Sequence, residues 1–261
     1  MAEISIVMGT LGRPEITRRT LETYTKLSCP DYELLFMDVI NKEESLESLY
    51  NEFKDRLPIR RIPLTLNISN YTPGETTWTP ATTWNYGISQ STGKFVITCS
   101  ADVMISYPDM IERFVTQYES ARISVLTYFL SQGMTNLLGT VDWMSNPDGI
   151  QSLPGFWDEN INDCPNKYRL SAGLTTFITG QPRDMWDYMG MYRNELSHLV
   201  NDQDIMLRDV FMGRGVDTLD GYVAYHQYHP TGSNSNVVSP GWNYHTEAQA
   251  RLLEPAPRDN S

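Results

Sequence analysis

The sequence predicts an α/β fold in which helices alternate with the strands of a mostly parallel sheet. Short apolar runs recur along the chain, and segments with helical spacing lie between them, which is the pattern of βαβ units. The apolar run at 95–99 is continuous, as is typical of a strand buried on both faces of a parallel sheet. It follows the turn residues Ser91, Thr92 and Gly93. We therefore expect residues 95–99 to form the central strand.

The other elements follow in chain order from the same patterns. A turn after the first apolar run ends at Pro14, which suits the start of a helix, and Ile16, Leu21 and Tyr24 then have helical spacing. Strands are predicted at 4–8, 32–39, 60–66, 95–99, 123–130, 177–180 and 221–229. Helices are predicted at 15–27, 46–53, 80–91, 108–120, 184–189 and 205–212. Residues 67–79 predict a loop, and residues 133–172 predict a long irregular segment of the kind that often serves function.

The composition is that of a globular protein with an acidic balance. Of its 261 residues, 40% are hydrophobic and 20% are charged, and the formal net charge is −12. This balance disfavours the broad phosphate-binding surface that nucleic acids need, although a local basic groove stays open. A nucleic-acid partner is therefore not expected.

Three features concern the compartment. The cysteines, Cys29, Cys99 and Cys164, are too widely spaced for a disulfide framework or a thiolate metal motif, which favours a reducing compartment. The first residues lack the basic and apolar regions of a signal peptide. No apolar run approaches the ~20 residues that a membrane-spanning helix needs. We expect a cytoplasmic protein without a membrane span.

A carboxylate follows the predicted central strand directly. The strand ends in the polar step Ser100, Ala101 and Asp102, after which the chain becomes apolar again. In open α/β sheets, ligands bind outside the carboxyl ends of the strands. Asp102 is therefore the first candidate for a ligand or metal contact, and the alternative is that it caps the following turn or helix.

Two further polar clusters lie near the ends of predicted elements. Residues 201–204 read Asn-Asp-Gln-Asp before a predicted helix, and residues 226–229 read His-Gln-Tyr-His at the end of the last strand. Carboxylate and imidazole donors of this mixture suit Mn²⁺ or Mg²⁺ better than Zn²⁺, which favours thiolates. The alternatives are helix capping for the acidic residues and an ordinary core or surface position for each histidine.

The order of these motifs resembles the GT-A glycosyltransferases, in particular family 2 and its relatives. The resemblance covers roughly residues 4–230. It rests on the first strand and turn at 4–15, on Asp38 at the end of the second strand, on Asn85-Tyr86-Gly87 with Gly93-Lys94-Phe95-Val96, on Ser100-Ala101-Asp102 as the DxD step, on 201–208 as the acidic motif Glu-Asp-x-Asp-φ-x-x-Arg (φ is apolar), and on His226 with His229.

This resemblance implies a fold, a domain plan and a reaction. The fold would be a three-layer α/β/α sandwich with a mostly parallel central sheet. Residues 1–230 would form one catalytic domain, with the nucleotide-sugar half at 1–102 and the acceptor half at 103–230. The polar tail at 231–261, or the segment at 133–172, would close over the donor as a lid. The reaction would be an inverting, metal-dependent transfer of a hexosyl group from a nucleotide-diphospho-sugar to a carbohydrate or other hydroxyl acceptor. A UDP-sugar is the donor expected first.

The resemblance also implies roles for individual residues. Asp202 would be the general base that takes the proton of the acceptor hydroxyl. Asp102, His226 and His229 would hold Mn²⁺ or Mg²⁺ as a Lewis acid beside the diphosphate. The donor would be contacted by Thr10, Arg13, Asp38, Asn85, Ala101 and Asp102.

Two departures from the family pattern keep other functions open. Ser100 stands where the first DxD carboxylate is expected, and Asn201 stands where the acidic motif has Glu. A degenerate sugar-nucleotide-binding module without turnover is therefore one alternative. A sugar-1-phosphate nucleotidyltransferase is a second, disfavoured because no Pro-Lys step follows Arg13. A glycosyltransferase that acts on modified DNA bases is a third, disfavoured by the acidic balance.

Overall fold

The computed structural model describes residues 3–10, 12–40, 46–65, 80–130, 177–193 and 198–227. The elements in these ranges are β1 (Ile4–Gly9), α1 (Pro14–Tyr24), β2 (Tyr32–Ile40), α2 (Glu47–Phe53), β3 (Ile59–Thr65), α3 (Pro80–Gln90), β4 (Phe95–Ser100), β5 (Val103–Ile105), α4 (Met110–Gln117), β6 (Arg122–Phe129), β7 (Ile178–Pro182), α5 (Arg183–Met189), α6 (His198–Phe211) and β8 (Val216–His226). None of the helices in these ranges is long and apolar enough to cross a membrane.

The strands form one sheet in the order β3-β2-β1-β4-β7-β6-β8-β5. The first four pair in parallel, with β1 between β2 and β4, as expected for successive βαβ units. The other half is mixed, because β7 is antiparallel to β4 and β6, and β5 is antiparallel to β8. The predicted α/β class is therefore confirmed, and the parallel part of the sheet is the half that precedes Asp102.

Two apolar cores lie on opposite faces of the sheet, as the alternation of side chains along a strand requires. One face packs against α1, α2 and α4, and its core includes Ile6, Met8, Leu34, Phe36, Leu21, Phe53 and Phe114. The other packs against α3, α5 and α6, and its core includes Val7, Leu35, Met37, Trp84, Trp186 and Ile205. The three-layer α/β/α arrangement expected from the sequence is thus present.

Helix α3 approaches the sheet closely at one glycine. A Cβ atom at Gly87 would lie 2.2 Å from Cγ1 of Val7 and 3.0 Å from Sδ of Met37. Only a residue without a side chain fits here, so Gly87 sets the distance between α3 and the strands β1 and β2.

Two predicted boundaries are wrong. Helix α6 begins at His198 and not at residue 205, so the cluster 201–204 lies inside the helix and not at its start. Its polar residues resemble a capping sequence, but Asp204 pairs with Arg208 one turn later and Ile205 is buried, which holds this turn in the helix.

The last strand begins at Val216 and ends at His226, whereas the sequence predicted 221–229. The pair Asp220-Gly221 resembles a turn, but Gly221 has a φ of 79° inside the strand, and the register with β6 shifts between Ser124 and Leu126. The strand therefore continues through a β-bulge in which glycine takes the left-handed conformation.

Cys29 and Cys99 are buried free thiols. Several predicted features lie outside the described residues: Cys164, His229, the loop at 67–79, the segment at 133–172 and the tail at 231–261.

Candidate active site at the carboxyl end of β4

Asp102 lies in the two-residue turn that joins β4 to β5. Three backbone hydrogen bonds fix this turn: the Ser100 N–H donates to the Phe177 carbonyl at 2.9 Å, the Ala101 N–H donates to Gly9 at 3.1 Å, and the Gln227 N–H donates to the Asp102 carbonyl at 2.8 Å. The turn is thereby held between the ends of β1 and β8. This is the position that sequence reasoning gave to the strand-end carboxylate.

The carboxylate of Asp102 faces two cationic or potentially cationic side chains. Its Oδ2 accepts a hydrogen bond from Nη1 of Arg13 at 3.2 Å, and its Oδ1 lies 3.7 Å from Nε2 of His226. The side chains of Asp102 and His226 are 16% and 12% exposed, while that of Arg13 is 38% exposed. The structure thus brings together three of the predicted site residues, which are distant in sequence.

The position of His226 follows from strand pairing. β5 runs antiparallel to β8 and places Val103 opposite His226, so the imidazole lies beside the preceding residue, Asp102. The ring also packs edge-on against Phe177, with centroids 5.0 Å apart. One residue further, the buried Gln227 side chain donates to the Ile16 carbonyl and to the Thr20 hydroxyl, both at 2.9 Å, which ties the end of β8 to α1.

The side chains of Asp102 and His226 suit a divalent cation that is also bound by a phosphate ligand. One carboxylate and one imidazole converge, and both are ligands that Mn²⁺ accepts. Among the described residues, no group of three or more His, Cys, Asp or Glu side chains could hold a metal ion. Magnesium-type sites commonly take one or two carboxylates and complete their shell with substrate phosphates and water. Asp102 and His226 suit that kind of site, and His229 lies outside the described residues.

Arg13 reaches Asp102 from an uncommon backbone conformation. It precedes α1 with φ 58° and ψ 59°, in the left-handed region, and Gly12 before it has a φ of 62°. For a residue with a side chain this region costs roughly 1–2 kcal/mol. The following Pro14 adds a restriction, because a residue before proline is pushed towards extended conformations. Such outliers persist only where the surrounding structure requires them.

Thr10 and Asp38 lie at the carboxyl ends of β1 and β2, and the side chains of both make hydrogen bonds within the protein. The Thr10 hydroxyl donates to the Met37 carbonyl at 2.7 Å. Asp38 is fully buried, and its carboxylate accepts from the Leu46 N–H at 3.1 Å and from Nε of Arg61 at 2.8 Å. Sequence reasoning missed Arg61 as the partner of Asp38. Contacts from Thr10 and Asp38 to a nucleotide stay predictions.

Asn85 holds a loop in place. Its amide donates to the Tyr192 carbonyl at 2.7 Å and accepts from the Tyr192 N–H at 2.9 Å, so both ends of one side chain are engaged with one backbone residue. This fastens the segment after α5 to α3. The predicted contact of Asn85 with the donor stays a prediction, as does that of Ala101, which is 7% exposed.

The acidic motif of α6 contains a buried ion-pair network. Arg208 donates to the Asp204 carboxylate at 3.0 Å and to the carbonyls of Met189 and Met191, and Asp204 also lies 3.5 Å from Arg193. Burial lowers the pKa of Arg208, although the charge of Asp204 opposes this shift. The network joins α6 to the end of α5 and to residues 190–193. The spacing of four residues between Asp204 and Arg208 was the only sequence signal for it.

Asp202 lies in the second turn of α6, and not at a helix start as the sequence suggested. Its side chain lies outside the described atoms, so its role as general base stays a prediction. Asp204, the other candidate in this motif, is buried between two arginines, which suits a structural carboxylate and not a proton acceptor for a substrate.

The thiol beneath the site is not a nucleophile. Cys99 is fully buried in β4, and burial raises its pKa to about 12, although a hydrogen bond with Tyr24 acts in the opposite direction. A thiol with such a pKa carries almost no thiolate at neutral pH. The polar groups that converge at the site are the carboxylate of Asp102, the imidazole of His226 and the guanidinium of Arg13.

Solved structures with a similar fold include three that were determined with nucleotides. The mannosyltransferase PcManGT from Pyrobaculum calidifontis, in complex with GDP-Man and Mn²⁺, gives a TM-score of 0.58 at 11% identity over 89% of this chain and 59% of that one. TarS 1–349 from S. aureus, in complex with UDP, gives 0.56 at 14% identity over 88% and 61%. Glucosyl-3-phosphoglycerate synthase from Mycobacterium tuberculosis, in complex with Mn²⁺, UDP and phosphoglyceric acid, gives 0.54 at 12% identity over 98% and 80%.

These similarities concern the fold. The chain spans about three-fifths of the length of PcManGT and of TarS 1–349. No protein-family model and no curated protein sequence matches the chain. At such low identity a shared fold leaves the activity to be argued from the site. The chain has the GT-A fold of the glycosyltransferases, as its sequence motifs predict.

Proposed function

We propose that this protein is a glycosyltransferase that binds a nucleotide-diphospho-sugar at Asp102 and transfers the sugar to an acceptor hydroxyl. The observation that carries the proposal is the convergence of Asp102, His226 and Arg13 at the carboxyl end of β4 within a GT-A fold. The solved neighbours with GDP-Man, UDP and Mn²⁺ support this donor class.

The site residues suit a diphosphate leaving group. Negative charge builds up on the diphosphate as the bond to the sugar breaks, and groups that are already oriented towards that charge lower the barrier. Asp102 and His226 would hold a divalent ion, Mn²⁺ or Mg²⁺, which when bound acts as a Lewis acid on the leaving group. The guanidinium of Arg13 adds a second positive charge on the same side.

The acceptor needs a base on the other side of the sugar. In the proposed step, the acceptor oxygen forms its bond to the anomeric carbon while the bond to the diphosphate breaks, and the acceptor proton passes to the carboxylate of Asp202. This attack inverts the anomeric centre. The support for Asp202 is its place in the motif of α6, which the network of Arg208, Asp204 and Arg193 joins to α5.

A donor screen tests this function. UDP-, GDP- and TDP-sugars are each added with Mn²⁺, and thermal unfolding is followed. A donor at a hundred times its Kd stabilises the protein by about 2.7 kcal/mol. At roughly 2–4 °C per kcal/mol for a chain of this size, the melting temperature should rise by about 5–10 °C. Asp102→Asn should abolish the rise, whereas Asp187→Asn, an exposed carboxylate on α5, should retain it.

The alternative with a specific observation in its favour is a sugar-nucleotide-binding module without turnover. Ser100 leaves the described site with one carboxylate, and that carboxylate pairs with Arg13. The module would be favoured if a donor binds but no donor releases nucleoside diphosphate, even by slow hydrolysis. The acidic balance opposes a DNA acceptor. The cytoplasmic location stays a prediction.

A further inference from the structure

The contact between Arg13 and Asp102 combines an uncommon backbone with an open ion pair. Two consecutive residues, Gly12 and Arg13, take left-handed conformations immediately before Pro14. The result of this turn is that the guanidinium lies over the strand-end carboxylate. The conformation of Arg13 is unfavourable for two reasons: it is left-handed in a residue with a side chain, and it precedes a proline. Because this conformation places a charge at a candidate site, it points to a role for that charge.

The ion pair is built so that it can open. Nη1 of Arg13 contacts Oδ2 of Asp102 at 3.2 Å, and the arginine side chain is 38% exposed. Pairs with this much solvent access are weak compared with buried bidentate pairs. Arg122 provides the contrast within the same chain, because it pairs with Asp209 with both side chains fully buried. The pair of Arg13 with Asp102 is therefore more accessible to a competing ligand than the buried pair of Arg122 with Asp209.

Arg13 pairs with one carboxylate oxygen of Asp102, Oδ2, while His226 faces the other, Oδ1. With Ser100 in place of a second carboxylate, the positive charge of Arg13 balances the single negative charge of Asp102. A divalent cation approaching Asp102 is repelled by the guanidinium and finds one of the two carboxylate oxygens already paired. A diphosphate changes this balance, because its oxygens attract the guanidinium as a paired acceptor.

We infer that Arg13 is a tethered cation that occupies Asp102 when no donor is bound and moves onto the diphosphate when donor and metal enter. This inference rests on the proposed function for the identity of the diphosphate ligand. Its consequence is that metal and donor bind interdependently: each is weak alone, because Arg13 opposes the metal and Asp102 retains Arg13. Reciprocity of binding free energies requires the two effects to be equal in size.

Calorimetry on the full chain tests the inference with Mn²⁺ alone, with UDP or GDP alone, and with both. The main variant is Arg13→Asn, because asparagine tolerates the left-handed conformation and removes the charge. Arg13→Gly serves as a second variant if the first is unstable, and Arg13→Lys retains the charge. Arg18→Asn is the matched control, since Arg18 lies on α1, which follows Arg13, and pairs with Glu15 and Glu52 on the surface.

The expected result has opposite signs for the two ligands. In Arg13→Asn, binding of Mn²⁺ alone should tighten by about 5-fold or more, the lower end of ordinary coupling between sites. Binding of UDP or GDP alone should weaken, and the mutual enhancement between metal and nucleotide should fall. Arg13→Lys and Arg18→Asn should resemble the wild type. Asp102→Asn combined with Arg13→Asn should lose the tightened Mn²⁺ binding.

Two results separate this inference from the function on which it rests. If Arg13→Asn binds Mn²⁺ no more tightly than the wild type, while UDP or GDP with Mn²⁺ still binds both proteins, the inference about Arg13 is wrong and the donor site stands. Tightened Mn²⁺ binding that persists without the Asp102 carboxylate also overturns it. If neither UDP nor GDP binds the wild type with Mn²⁺, the proposed function fails, and the transfer of Arg13 onto the diphosphate fails with it.

Discussion

Replacing Asp204 by asparagine distinguishes a structural carboxylate from a catalytic one. Asp204 is 2% exposed; its Oδ2 accepts a hydrogen bond from Nε of Arg208 at 3.0 Å and lies 2.9 Å from Nη2 of the same guanidinium. The substitution retains the shape of the side chain but leaves Arg208, whose pKa burial already lowers, without its charged partner. Removing one member of a buried pair costs about 3–5 kcal/mol.

The structure places the loss for Asp204→Asn at the lower end of that range. Arg208 retains its bonds to the carbonyls of Met189 and Met191. A loss of about 3 kcal/mol corresponds to a fall of roughly 6–12 °C in melting temperature. Thermal and urea unfolding measure it, with Asp187→Asn as the exposed control.

The same experiment compares Asp204 with Asp202. Asp202→Asn should lower turnover by about 10²–10⁴-fold and leave the melting temperature nearly unchanged. If Asp204→Asn instead retains the wild-type melting temperature and loses turnover, the structural assignment of Asp204 is refuted and it becomes the better candidate for the base.

Two stability predictions follow from other contacts of the parallel half. Glu33 is partly buried, which raises its pKa, but hydrogen bonds from Ser5 and Thr92 outweigh burial and lower it. The ionised Glu33 therefore stabilises the fold above the unfolded pKa of about 4.3, and this contribution is lost as pH falls through the lower folded pKa. In urea titrations, the difference in free energy of unfolding between wild type and Glu33→Gln should therefore shrink towards pH 3. Gly87→Ala gains up to about 1 kcal/mol of helix propensity but forces a methyl group to 2.2 Å from Val7, so we expect a net loss of about 1–2 kcal/mol, and an unchanged urea midpoint would contradict the close packing.

The sequence was most informative where structure depends on local patterns. The continuous apolar run before Ser100 predicted β4, and the position of Asp102 followed from the rule that ligands bind at strand ends. The motif order added His226 and Arg13, and the structure places both beside Asp102. Local reasoning sufficed for β4 and Asp102 because strand ends and turns are encoded by neighbouring residues, whereas His226 and Arg13 required the order of motifs along the whole chain.

The sequence was least informative where partners are distant in the chain. Asn85 and Tyr192 are 107 residues apart, and Arg61 and Asp38 are 23 apart, so no periodicity signals that these side chains meet. The antiparallel direction of β7 was also hidden, because the apolar pattern of a short strand does not depend on its direction. The polar cluster before Ile205 concealed the first turns of α6, since tertiary packing overrides the capping preference.

The most direct test of the proposed function is release of nucleoside diphosphate from UDP-, GDP- and TDP-sugars in the presence of Mn²⁺. The wild type should release it from at least one donor, and a chelator should abolish the release. Asp102→Asn should lose donor binding and release together, whereas Asp202→Asn should bind donor and release about 10²–10⁴-fold more slowly. No release from any donor by the wild type, with or without an added acceptor, would contradict a glycosyltransferase that acts at Asp102.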